Sequence, residues 1–108
     1  MAYKVELSEL AEDDLSGIIR HFYEELLIPQ SAKRFYKAVS KQIDLISENP
    51  YMYPLHHDEK LHKEGYRFVT INKYLMFYTI NDVTSKVSII RIVFGGRNLP
   101  FIFPHSGD

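Results

Sequence analysis

The side chains best suited to chemistry lie in the second half of the chain. His56, His57 and His62 surround Asp58, Glu59 and Lys60, and Arg67, Lys73, Arg91 and Arg97 follow. Histidine titrates near neutrality, so any of the three can act as an acid or a base. With Asp58 and Glu59 they also suggest a metal site, but they match no recognised metal-ligand spacing, and a solvated loop is the plainer reading. Arg91 interrupts the apolar run Ile89-Ile90-Arg91-Ile92-Val93. A charge buried there requires a partner, which points to a structural ion pair rather than a site. The chain has no cysteine, which excludes thiol catalysis and disulfides. Nothing in the pattern implies a cofactor.

Charge is distributed unevenly. Residues 1–27 hold two cations against seven anions, and residues 60–97 hold seven against two, within a net charge of −1. Such polarity can present a basic face to an acidic partner. A protein that works on nucleic acid usually has an overall basic excess, which is missing here.

The elements that position these residues follow from periodicity. Residues 3–7 alternate apolar and polar, as a half-buried strand does. Ser8 is a good helix cap, and the acids after it suit the positive end of a helix dipole. Ala11, Leu15, Ile18, Phe22 and Leu26 form one stripe on a helix predicted over 9–27. Pro29 opens a second helix, whose stripe is Ala32, Phe35, Tyr36, Val39, Ile43 and Ile46, and Asn49-Pro50 ends it. The aromatic residues of both stripes are expected in the core. The link is short, so the helices form an antiparallel hairpin. Residues 50–64 lack a period and are predicted to be a loop. Strands are predicted over 66–71, 74–80 and 86–94, joined by short turns into antiparallel hairpins. The fold class is therefore α+β: an N-terminal strand, a two-helix hairpin, then three antiparallel strands, with the helices on one sheet face. At 108 residues this is one domain spanning 1–108, with 100–108 as a C-terminal tail. No apolar run is long enough to span a bilayer and the N-terminus has no signal-like stretch, so a cytoplasmic location is expected, with no membrane partner.

This order resembles that of the RelE/ParE superfamily, toxins of bacterial type II toxin–antitoxin systems. Tyr3-Lys4-Val5-Glu6-Leu7-Ser8 with Ala11 and Leu15 looks like the family's first strand and helix start. Ala32-Lys33-Arg34-Phe35 and residues 43–50, ending in Asn49-Pro50, resemble its second helix. Tyr66-Arg67-Phe68, Tyr74-Leu75-Met76-Phe77-Tyr78 and residues 89–99 resemble its closing strands and terminal basic segment. The likeness runs over roughly residues 3–99, and it is the ordered set that is specific.

The superfamily's chemistry divides. RelE-type members cut messenger RNA on the ribosome, and ParE-type members inhibit DNA gyrase without being nucleases. The fold alone does not choose between them. RNA cleavage needs a proton acceptor for the 2′-hydroxyl, cations for the phosphorane and an acid for the leaving oxygen. Carried over from RelE-like proteins, Arg67 fits the first basic position on the closing strands and Arg97 the Arg after the last strand. The second basic position falls on Val69, the next strand's Arg on Leu75, and the C-terminal Tyr near Phe103. Lys73 can substitute in space for Leu75, and Lys60 and His57 are weaker candidates. The depleted set and the near-neutral charge favour the ParE-like reading. The alternatives are a ribosome-dependent endoribonuclease using Arg67 and Arg97, and an inactive homologue that only binds antitoxin. Every reading implies a cognate antitoxin, through which operator DNA is contacted only indirectly, with gyrase or the ribosome and its mRNA as target. Phe101, Ile102 and Phe103 are the candidate antitoxin dock.

Overall fold

The structure, a computed structural model, describes residues 2–96. The chain runs β1 (Lys4–Leu7), α1 (Glu9–Arg20), a π-helical turn (His21–Glu25), α2 (Pro29–Glu48), a 3₁₀ turn (Pro50–Met52), α3 (Glu59–Lys63), β2 (Arg67–Ile71), β3 (Tyr74–Asn81) and β4 (Lys86–Phe94). The four strands form one sheet in the order β1-β4-β3-β2. As expected, β2, β3 and β4 are antiparallel neighbours, while β1 joins the far side parallel to β4.

Local chemistry sets the helix ends. Ser8 is extended, and its hydroxyl accepts a hydrogen bond from the Ala11 amide at 3.0 Å. The first helix does not run regularly to residue 27. It widens into the π turn, where the Leu26 amide donates to the His21 carbonyl, and it stops at Leu27, whose φ is +55°. The segment predicted as a loop is partly helical, because Asp58 caps α3 by accepting from the Leu61 amide at 3.1 Å. Gly65 (φ +81°) closes α3. The Tyr66 amide reaches back to the Leu61 carbonyl, the Gly65 amide reaches the His62 carbonyl, and Tyr66 packs with Leu61 in one cluster. This is a Schellman ending with its usual apolar contact.

The sheet has two unequal apolar faces. On the helix side, Ala11, Ile18, Phe35, Val39 and Ile46 meet Val69, Ile71, Met76, Tyr78, Val87, Ile89 and Ile92. On the outer side, Leu61, Tyr66, Phe77 and Val93 make a smaller cluster under α3. A bulge lets β4 serve both. Phe77 pairs with Arg91 and Tyr78 with Ile89, leaving Ile90 as the extra residue. Strict alternation from Val87 and Ile89 would place Arg91 among the helix-side residues; the bulge places Ile92 there instead.

Candidate functional site

β1 ends at Leu7, so β4 has an unpaired edge beyond Ile89. Side chains of α1 and its cap cover that edge. Ser8 Oγ donates to the Ile90 carbonyl at 2.9 Å, and the Ile92 amide donates to Asp14 Oδ2 at 3.0 Å. Arg91 then grips the same carboxylate in a two-pronged pair, Nε to Oδ2 and an Nη to Oδ1, both at 2.7 Å. The two side chains are 13% and 14% exposed, and the carboxylate raises the guanidinium pKa further. Arg91 is thus the structural ion pair that its apolar surroundings required.

Arg67 is held in a different corner. It pairs with Tyr78 across β2 and β3, and its Nη1 donates to the Tyr53 carbonyl at 2.7 Å. The guanidinium carbon lies 4.9 Å from the centre of the Tyr51 ring. Beside it, the Tyr78 hydroxyl donates to the Pro50 carbonyl at 2.7 Å, and burial pushes its pKa up to about 12. That hydroxyl therefore stays protonated and acts as a donor. The Tyr51 and Tyr3 hydroxyls both donate to the Asp82 carboxylate, which lowers its pKa. Arg67 thus fastens the 50–53 turn to the sheet.

The other candidates do not join Arg67. Lys73 is exposed in the β2–β3 turn, beyond the far end of β2 from Arg67, and the strand alone separates them by roughly 13 Å at about 3.3 Å per residue. It borders a shallow cleft with His21, Phe22, Leu26, Tyr74 and Phe94. Lys60 and His57 are exposed on and before α3, which covers the outer face, whereas Tyr78, the partner of Arg67, lies in the helix-side core. Arg97 and the Phe101, Ile102 and Phe103 segment lie outside the described residues. Among the described residues no three His, Cys, Asp or Glu side chains gather as metal ligands.

The histidine loop departs from its solvated reading. His56 is 4% exposed, with its ring against Phe68 and Phe77 and stacked on exposed His57 at 4.2 Å. The lack of period in 50–64 concealed this, since a five-residue helix is too short to show one.

The helix stripes do not bury all of their aromatic residues. Phe35 is buried at 3% exposure, but Tyr36 is 55% exposed, because its neighbours Ala32, Phe35 and Val39 already fill the buried stripe. Tyr36 lines an apolar groove of about 270 Å³ with Ile19, Tyr23 and Ala32, bordered by Lys33 and Lys37. A continuation toward Leu15 and Arg20 has about 520 Å³. At the hairpin tip, Leu26, Leu27 and Ile28 are 46%, 75% and 41% exposed. Their run of three apolar residues beside Pro29 was the available sequence signal for an uncovered tip.

Comparison with known proteins returns a family model described as the ParE toxin of the type II toxin–antitoxin system parDE, matched over residues 5–99. No curated protein gives a significant match. Among solved structures, the chain is similar to one from the chromosomal ParDE system of P. aeruginosa, with TM-score 0.67 and 16% identity, covering 86% of this chain and 96% of that one. It is also similar to one from the RelBE2 toxin–antitoxin complex of Mycobacterium tuberculosis, with TM-score 0.60, 23% identity and coverage of 87% and 99%. A double-arginine mutant of the E. coli toxin RelE in its free state aligns with TM-score 0.67, 13% identity and coverage of 94% and 92%. At these identities the three structures speak to the fold.

Proposed function

Because the chain belongs to the ParE toxin family of type II toxin–antitoxin systems, we propose that this toxin arrests growth by binding DNA gyrase rather than by catalysis. The observation that carries this reading is the scatter of the candidate cations: Arg67 lies at the Tyr53 carbonyl and the Tyr51 ring, and Lys60 and Lys73 are placed elsewhere on the fold. Phosphorane stabilisation needs cations that converge on one point, whereas Arg67 begins β2, Lys73 sits in the turn at its other end and Lys60 is on α3 over the outer face. A near-neutral net charge of −1 also gives little of the phosphate attraction that a ribosome-bound nuclease gains.

The antitoxin partner fits the uncovered helix hairpin. The groove along Ile19, Tyr23, Ala32 and Tyr36 has the apolar floor and basic rim that an amphipathic, acid-flanked antitoxin segment would fill. Phe101, Ile102 and Phe103 remain a second candidate contact. Action in the cytoplasm is part of the same reading; among the described residues no helix is long and apolar enough to cross a membrane.

Expression without antitoxin tests the target. The gyrase reading expects filamentous cells and a DNA-damage response. New 5′ ends in translated messages, lost in Arg97→Ala, would replace it with the RelE-like reading, in which Arg67, Arg97 and either a loop histidine such as His57 or Lys60 share the work. Normal growth would indicate a homologue that only binds antitoxin.

A further inference from the structure

The outer face of the sheet carries a feature that neither target reading uses. Residues 54–56 run beside β2: the His56 amide donates to the Tyr66 carbonyl at 2.8 Å, and the Phe68 amide donates to the Pro54 carbonyl at 3.3 Å. α3 follows at once and drops Leu61, 1% exposed, onto Phe77 and Val93. Segment 54–64 therefore covers both the β2 edge and the outer apolar strip.

His56 is the clasp of this segment. Its Nδ1 accepts the Asp58 amide hydrogen at 3.0 Å, the contact two residues ahead that an asparagine or aspartate side chain makes in an Asx turn. The ring can accept that bond only while Nδ1 is unprotonated. Asp58 in turn caps α3, so the bond links the buried imidazole to the helix that carries Leu61. The titratable groups facing His56 are His57 and Asp58 from its own turn, His62 from α3 (Nδ1 3.3 Å from the His56 carbonyl) and Tyr66 just before β2. From β3 the uncharged Phe77 ring lies 5.5 Å from the imidazole.

We propose that residues 54–64 form a proton-operated flap over the outer sheet face, shut while the His56 ring is neutral and released when Nδ1 takes a proton. Protonation turns the acceptor of the Asp58 amide into a donor and places a charge between Phe68 and Phe77. Release uncovers Phe68, Phe77 and Val93 together with the backbone edge of β2, a surface suited to an added strand. Burial and neighbouring His57 hold His56 below the ordinary histidine value, against a smaller opposing effect of Asp58. The open segment therefore binds the proton more tightly than the closed one. Closure is complete above about pH 6.5 and weakens as pH falls toward the closed-state value.

Amide exchange of the full chain by NMR, corrected for intrinsic exchange, tests this. Protection of the Asp58 and Phe68 amides should fall as pH drops below about 6.5 and level off below the His56 midpoint, with a slope of at most about tenfold per pH unit, while Met76 and Ile89 stay protected. The His56 ring should titrate below an ordinary histidine. His56→Asn, which keeps an acceptor and does not titrate, should hold flap protection flat with pH. Protection of Asp58 and Phe68 that does not change with pH in the wild type, falls together with Met76 and Ile89, or falls equally in His56→Asn would overturn the proposal. The wild-type titration decides even if the variant does not fold.

Discussion

The two faces of the sheet come from the same strands but are sealed by different means. The helix-side face is closed by α1 and α2 with residues such as Ile46, Met76, Tyr78 and Ile89, all at 0% exposure and locked by contacts far apart in sequence. The outer face is closed by one short helix, and its seal includes a histidine. A large interdigitated layer opens only with the whole domain, whereas a small one resting on Leu61, the His56 ring and the short pairing of residues 54–56 with β2 can open alone. The first face supplies stability, and the second supplies the part of the molecule able to move.

Substitutions can break this contrast. Ile89→Ala empties a fully buried site in the helix-side core and should cost about 4 kcal/mol, read as a lower urea midpoint with one cooperative transition. Asp14→Ala strips Arg91 of its carboxylate and the Ile92 amide of its acceptor, and should cost about 3 kcal/mol, again globally, because the pair ties α1 to β4. Leu61→Ala should have the smallest global effect, about 2 kcal/mol or less, with its damage concentrated in the amides of 56–68. Uniform loss of protection across the sheet in Leu61→Ala would erase the distinction between the faces.

Sequence patterning made the frame legible and the fastenings illegible. β2, β3, β4 and the start of α2 stand where their periodicity puts them, since a period-two or 3.6-residue pattern reports burial directly. α3 spans five residues and shows no period. The π turn after Arg20 keeps an apolar stripe running past the end of the regular α-helix, so the predicted helix ran too far. Arg91 announced its need for a partner, but nothing local identifies one 77 residues away. Arg67 shows the limit at the candidate site. An Arg that steadies a phosphorane and an Arg that holds a turn by its carbonyl look alike in one sequence, and the Tyr53 and Tyr51 contacts become visible only in the structure.

The central claim, inhibition by contact without catalysis, meets its most direct test with purified components. The toxin should stabilise gyrase-cleaved DNA and suppress supercoiling as its concentration rises, with antitoxin reversing both effects. Supercoiling that proceeds unchanged at saturating toxin, alongside cutting of ribosome-bound message by the same preparation, would contradict it.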